Sequence, residues 1–462
     1  MSASCLSASC LSTSCLSAIV RISYAMMSNE RTNKPPCRRD DALVVLRRLR
    51  DNGHVAYFAG GCVRDLLLGH EPADWDVATD AVPDRVRELF PRSQSVGAAF
   101  GVILVREGPS VIEVATFRAD ADYSDGRRPD SVRFTSADQD AQRRDFTING
   151  LFYDPIDEQV IDFVGGRDDV QSRILRAIGD PEVRFAEDYL RMLRAVRFAA
   201  RFGLTIEPST RASIVANAHK LPRISPERIA DELRRMLVPP TRGVAWRLLA
   251  ELRLLSQVFR HLPDPPVDGA FDAGRSLVLR LPDDRAVSFG LVLAAGVLEI
   301  ALHRRQTDDL RAIVEPRALA RIDSALRRML RYSNDESETM KGTLDFGMLL
   351  QDVRPTVAML KRFLARRTSG DARVLLGVLR SRGPHAERID WLLAQLEELS
   401  QEEVAPPPLI TGDDLIAEGW RPGRLFKRVL DEVYDAQLES RISTRDDAMN
   451  MARQLAGRHA PT

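Results

Sequence analysis

The chain has 462 residues, 44% apolar and 29% charged, with 66 basic and 66 acidic side chains. That is a globular composition, long enough for two to four domains with real cores. No apolar run approaches the ~20 residues of a bilayer-spanning helix, and zero net charge leaves any nucleic-acid contact to a local basic face.

Four of the five cysteines lie in the first 37 residues, three of them in the repeat "SASCLSASCLSTSCLSA". Without a basic start or a clean apolar stretch this is a poor signal peptide, so residues 1–35 are expected to be a disordered extension or a misassigned start. Cys62 is then the one cysteine in the folded chain, read as a small buried thiol. With no disulfide framework, a cytoplasmic setting follows.

From about residue 40 the pattern alternates. "DALVVLRRLRDNG" predicts an amphipathic helix with apolar 43, 44, 46 and 49, closed by Gly53. "HVAYFAG" predicts a strand ending at Gly60–Gly61, "CVRDLLLG" a helix, "DWDVAT" a strand, and "VPDRVRELF" a helix. "GVILV" and "SVIEVATFR" form a hairpin around Gly108–Pro109, with "SVRFTS" and "QVIDFVGG" as candidate edge strands. After about residue 167 helical periodicity dominates, as in "PERIADELRRMLV", "AWRLLAELRLLSQVF" and "DSALRRMLRYS". Pro-rich "EEVAPPPLITGDD" marks a linker before a last helical unit. The expected class is α+β: a small mixed-sheet head followed by an elongated all-α remainder.

Several residues in this frame carry chemistry. Asp74 and Asp76 stand two apart on the expected strand, so both carboxylates share a face while Trp75 and Val77 point into the core. Two like charges so close invite a cation, and hard divalent ions use one or two carboxylates plus phosphate oxygens. Gly60 and Gly61, between strand and helix, let backbone N–H groups approach a phosphate on which Arg64 can close. Glu113, with Val111 and Ala115 on its face, either joins the metal site or pairs with Arg118 or another arginine. In "RRDFTINGLFYDP", Arg143 and Arg144 either grip phosphate or pair with Asp145.

The helix expected over 187–203, "EDYLRMLRAVRFAARFG", places Arg191, Arg194, Arg197 and Arg201 within about 120° at 100° per residue. Tyr189, Met192, Leu193, Val196 and Ala200 cover the opposite, packing side. Asp188 lies one turn before Arg191. The pair presents acceptors and donors suited to reading a base edge, or forms a simple i,i+3 ion pair on a solvated face.

Taken in order, GGxVRD…LG…DxD, "EVATFR", "YSDGRRPDSVRF", "RRDFTING", "EDYLRMLRAVRFAARFG" and "ISPERIADELRRML" resemble the bacterial class II tRNA nucleotidyltransferases. These share a branch of the polymerase-β-like superfamily with bacterial poly(A) polymerases. The resemblance is dense from about 55 to 237. It resumes at "LITGDDLIAEGWRPGRLFKRVLDEVYDAQLESRIST" (409–444), similar to the family's tRNA-binding tail.

The resemblance implies a nucleotidyltransferase head over 36–165, a helical neck that recognises the base over 166–240, a helical body over 241–400 and a tail over 401–462. It implies that Asp74 and Asp76 hold the metal, taken as Mg²⁺, and Glu113, read from its strand face, is the further catalytic candidate beside them. Gly61, Arg64 and Arg144 would meet the nucleotide phosphates, with Gly60 joining them from the reading of the glycine pair. Asp188 and Arg191 would template ATP or CTP, with Arg194 and Arg197 assisting. The implied activity is CCA addition to tRNA 3′ ends from CTP and ATP, with no membrane and no stable protein partner. Segment 119–134 corresponds to the loop that family members need for the final A.

Two departures weigh against polyadenylation. "VGAAFGVILV" lacks the basic doublet and His of the polymerases, and residues 401–462 carry more acids than bases. With no adjacent His-Asp pair in the chain, the phosphohydrolase domain of some relatives is absent. The rival readings are an A-adding enzyme, a poly(A) polymerase, and a helical RNA-binding protein with a dead head.

Overall fold

The computed structural model describes residues 37–459 apart from 98–100, 122–130, 270, 308, 312, 351–353, 381–384 and 401–402. The extension over 1–35, the centre of the 119–134 segment, part of "VGAAFG" and the first residues of the Pro-rich linker lie outside the described residues. The chain divides into two compact units, the boundary falling between Arg167 and Asp168.

The first unit is a seven-stranded mixed sheet, in the order β3-β4-β5-β2-β1-β8-β9. The strands are β1 (Ala56–Ala59), β2 (Val77–Thr79), β3 (Ser93–Gly97), β4 (Val102–Glu107), β5 (Ser110–Thr116), β8 (Phe152–Asp154) and β9 (Gln159–Ile161). Only β2 and β5 run parallel. β4 and β5 form the expected hairpin, with Glu107 opposite Ser110 across the two-residue loop. "SVRFTS" is not an edge of this sheet: β7 (Ser131–Phe134) pairs instead with β6 (Arg118–Ala121). Strands β3, β6 and β8 have no counterpart in the sequence reading, because each is short and weakly alternating.

Helix α1 (Arg39–Asp51) buries Ala42, Val45, Leu46 and Leu49, while Val44 is 44% exposed. Leu46 and Leu49 face inward as read, while Ala42 and Val45 take the places read for Leu43 and Val44, since a small alanine can face a sheet as well as a leucine. Helix α2 (Gly61–Leu67) follows β1 directly, and α3 (Pro83–Leu89) starts on its proline as predicted. Cys62 is buried, but so is Cys37, which was not counted among the folded residues.

Among its described residues the second unit is helical apart from one two-residue strand pair. The helix expected over 187–203 is broken. Helix α4 (Pro181–Glu187) ends before Asp188, which is extended (φ −155°, ψ 104°), and α5 (Leu190–Phe202) begins after Tyr189. Helices α6 (Pro226–Met236) and α7 (Arg242–Glu251) pack on α5. "AWRLLAELRLLSQVF" is likewise two helices, because Arg253 adopts φ 59°. Further along, α8 (Phe289–Arg305) is apolar nearly all round and buried accordingly. The last helices (Gly412–Ala417, Arg424–Leu438, Arg445–His459) close a core of their own around Leu415, Val429, Val433, Ala448 and Ala452. Among the described residues no helix is long and apolar enough to cross a membrane.

Candidate functional site

Asp74 and Asp76 precede the strand that was expected to carry them. The regular ladder of β2 begins at Val77, although the Asp76 carbonyl still accepts the Ala59 N–H at 3.1 Å. The alternation nevertheless holds: Trp75 and Val77 are buried, Asp74 and Asp76 half-buried. Both carboxylates thus stand on the accessible side of an extended segment. Next to them, burial first and then the negative charge of Asp76 push the Cys62 thiol up to about 12, so it stays protonated.

Glu113 lies on the half-buried face of β5 with Val111 and Ala115, as alternation required. The parallel register pairs Val77 with Val114, so Asp76 and Glu113 each stand one step before that pair. No ion pair forms between Glu113 and Arg118 or any other described arginine. Among the described residues, no three His, Cys, Asp or Glu side chains converge closely enough to hold an ion. What the head offers is a pair of carboxylates, which suits an ion that completes its shell with phosphate oxygens.

The glycine turn has a guanidinium against each residue. Gly60 has φ 70° and ψ −119°, and a Cβ there would lie 2.9 Å from Arg144 Nη1. A Cβ on Gly61 would stand 3.6 Å from Arg64 Nη2. Arg64 is buried: Nε and Nη2 donate to Asp65 Oδ1 at 2.8 and 2.6 Å, and Nη1 to Asn149 Oδ1 at 2.6 Å. The side chain expected to swing onto a phosphate is therefore held beneath the turn.

Arg144 belongs to the same network. Its Nη1 donates to the Asn149 carbonyl at 3.1 Å, its Nη2 to Asp140 Oδ2 at 2.9 Å, and its guanidinium lies 5.1 Å over the Phe152 ring. Asp140 pairs with both members of the arginine doublet: Arg143 also bonds it, Nη2 to Oδ1 at 2.7 Å. Burial alone would raise the Asp140 carboxyl, but Arg144 and Arg143 outweigh it and hold it below the usual carboxylate range. Asp145 accepts from Asn149 Nδ2 at 2.8 Å. Asp140 and Asn149 were missed. Asp140 was legible as the i−3 and i−4 neighbour of the two arginines, whereas Asn149 reaches Arg64 only through the three-dimensional fold.

In the helical unit, Asp188 stands just before α5, its Oδ1 accepting from Leu190 N at 3.0 Å. Its other oxygen accepts from Arg228 Nη2 on α6 at 2.6 Å. Arg191 bonds Glu187 and the Arg184 carbonyl, so the expected Asp188–Arg191 pair is replaced by two separate pairs. The break at Asp188 explains this, since side chains three apart share a face only on a continuous helix.

The arginine stripe is not a solvated face either. Arg191 and Arg197 are each 9% exposed. Arg194 and Arg197 lie over the Phe198 ring at 5.1 and 4.4 Å, and Arg201 lies over Phe202 at 4.9 Å. Arg197 Nε donates to Glu232 Oε2 at 2.7 Å. Burial pushes Arg197 down to about 10 while Glu232 opposes it, which leaves the guanidinium charged at neutral pH. Tyr189, Met192, Leu193 and Val196 are buried as read; Ala200 is half-buried.

Residues 56–176 match the family described as Poly A polymerase head domain, and 203–264 the one described as probable RNA and SrmB-binding site of polymerase A. The CCA-adding enzyme of Geobacillus thermodenitrificans is 44% identical over 222 residues, 48% of this chain and 54% of that enzyme. The chain thus spans about half the length of that relative. The CCA-adding enzyme of Lactobacillus helveticus is 33% identical over 409 residues, 88% of this chain and 95% of that one. Poly(A) polymerase I of Salmonella typhi is 44% identical over 231 residues, half of its length. Among solved structures, the Bacillus stearothermophilus CCA-adding enzyme in complex with CTP superposes with a TM-score of 0.68 at 27% identity. That superposition covers 91% of this chain and 98% of the other.

Proposed function

The chain belongs to the family of CCA-adding enzymes and bacterial poly(A) polymerases, and from that premise we propose that it adds CCA to tRNA 3′ ends from CTP and ATP without a nucleic-acid template. The observation that carries the proposal is the Asp74–Trp75–Asp76 segment, in which a buried ring sets two carboxylates side by side against solvent. The divisions at 165, 240 and 400 into head, neck, body and tail are part of this reading.

Nucleotidyltransferases of this family depend on a divalent metal ion, and we take Mg²⁺ as the ion and Asp74 and Asp76 as its ligands. Bound there, it would neutralise the triphosphate and assist attack of the tRNA 3′ hydroxyl on the α-phosphate, with pyrophosphate leaving. Glu113 adds negative charge one strand over from Asp76, at the same register position. Gly60 shapes the turn, its N–H donating to the Leu151 carbonyl at 3.3 Å, Gly61 brings its backbone N–H to the triphosphate, and Arg144 adds positive charge at their side. Arg64 serves by fixing the turn through Asn149.

Base choice falls to the helical unit. Cytosine and adenine each present an exocyclic amine beside a ring-nitrogen acceptor, whereas uracil and guanine present a carbonyl beside an N–H. A carboxylate facing the amine and a guanidinium facing the ring nitrogen accept the first pair and reject the second. Asp188 and Arg191 have that chemistry. Arg194 and Arg197 support it from the Phe198 platform. The setting is cytoplasmic, and no stable protein partner is needed.

Incubation of the protein with tRNA lacking CCA, lacking only A, or complete, with each nucleotide, tests this by product length. Two C and one A support the reading. Failure to add C, with A added readily after CC, gives an A-adding enzyme. Long A tracts on unstructured RNA give a poly(A) polymerase, and no addition at all gives an RNA-binding protein with a dead head.

A further inference from the structure

The first described residues make contacts that nucleotide transfer does not call on. Cys37 is 8% exposed, and its Sγ accepts a hydrogen bond from the Trp75 N–H at 3.4 Å. The same thiol donates to the Trp75 carbonyl at 3.8 Å. Two residues on, the Arg39 guanidinium stands 5.7 Å from the centre of the Trp75 ring, which also packs edge-on to Phe58 at 5.0 Å. Arg38 N donates to Ser110 Oγ at 3.0 Å, and Ser110 donates in turn to Asp41. Ser110 opens β5, the strand of Glu113. One short segment thus fastens both the residue between the two aspartates and the strand beside them.

The need for such a fastening follows from where β2 starts. With the regular ladder beginning at Val77, Trp75 N–H and C=O have no strand partner, and buried peptide groups without partners are costly. Cys37 satisfies both. We propose that residues 37–41 are a strap that sets the positions of the Asp74 and Asp76 carboxylates, with Cys37 a positioning residue of the metal site and Arg39 its support. Outer partners that orient a metal's ligands govern its affinity although they never touch it. Removing Cys37 frees the Trp75 peptide, so the two carboxylates share an ion less well.

This inference rests on the assignment of Asp74 and Asp76 as metal ligands, and the test separates the two. Mn²⁺ binding to the full chain without substrate is read by electron paramagnetic resonance, beside the metal concentration at half-maximal C addition. Cys37→Ala should weaken Mn²⁺ binding about tenfold and raise the metal requirement in proportion. Activity at saturating metal should stay close to wild type. Cys37→Ser should fall between, because a hydroxyl accepts the N–H but reaches less far. Arg39→Ala, at an exposed position, should show a smaller loss in the same direction. Wild-type Mn²⁺ binding in Cys37→Ala and Arg39→Ala overturns the strap, whatever happens to thermal stability. If Cys37→Ala does not fold, unchanged binding in Cys37→Ser and Arg39→Ala overturns it equally. Asp74→Asn should abolish binding; if it does not, the metal assignment and the strap fall together.

Discussion

Arg228 holds Asp188: its Nη2 donates to Oδ2 at 2.6 Å across 40 residues of sequence. One turn along α6, Glu232 accepts from Arg197 in the same way. The helix thus orients the acceptor that the proposed function uses to read a base and one of the arginines that support it. Arg228→Ala removes a charge-assisted hydrogen bond of about 2 kcal/mol, roughly thirtyfold in kcat/KM for both CTP and ATP. Arg228→Lys should recover only part of this, because an ammonium cannot reproduce the planar donor set. Equal kcat/KM in Arg228→Ala and wild type would show that Asp188 needs no such support.

Asp188→Ala and Arg191→Ala should relax base choice. Steady-state use of UTP and GTP relative to CTP rises in each, since the mismatch penalty of a buried unpaired group is lost. Should both variants slow all four nucleotides alike, the pair contacts phosphate or RNA rather than the base edge.

Asp74→Ala or Asp76→Ala should abolish addition of both C and A while tRNA binding in a filter assay is largely kept. Loss of metal assistance corresponds to several kcal/mol, at least about a thousandfold in rate. Residual activity within tenfold of wild type would remove these residues from the chemistry.

Much of this arrangement was legible in the sequence, and the failures have definite causes. Period-two alternation placed Asp74, Asp76 and Glu113 correctly by face, because burial on one side of a sheet enforces it. It did not give the start of β2, since an extended segment can precede a ladder without a change in pattern. Periodicity read 187–203 as one helix because Asp188 and Tyr189 fit the 3.6-residue spacing. The extended backbone of Asp188, whose Oδ1 accepts from Leu190 N, makes the break. Partners distant in sequence, such as Arg64 with Asn149, Asp188 with Arg228 and Arg197 with Glu232, leave no local signal at all.

Acid should expose the role of Asp140. Its carboxyl lies below the usual range in the folded head, so it contributes stability above about pH 4, lost as pH falls through the folded value. Asp140→Asn leaves Arg143 and Arg144 without their counter-charge. With both arginines partly exposed the cost is about 2–3 kcal/mol at pH 7. Melts of the head should show this gap at pH 7 and a narrower one at pH 3. A gap of the same size at both pH values would mean that the ion pairs are not its source.

The two glycines of the turn should respond differently to a single added methyl. Gly60 has φ 70° and ψ −119°, a conformation suited to glycine, and a Cβ there meets Arg144 Nη1 at 2.9 Å. Gly60→Ala therefore carries backbone strain of about 1–2 kcal/mol and pushes Arg144 away from Asp140 and the Asn149 carbonyl. Gly61 is the first residue of α2 with no such backbone demand, and its Cβ would sit at ordinary contact distance, 3.6 Å, from Arg64 Nη2. Stability of the head should then fall clearly in Gly60→Ala and little in Gly61→Ala. Activity should separate two roles for Gly61. If its N–H meets a phosphate and the open face of the turn must stay bare, Gly61→Ala raises KM for CTP and ATP together while melting like wild type. Wild-type KM in Gly61→Ala, with the defect confined to Gly60→Ala, would make the glycine pair a packing device for Arg144 alone.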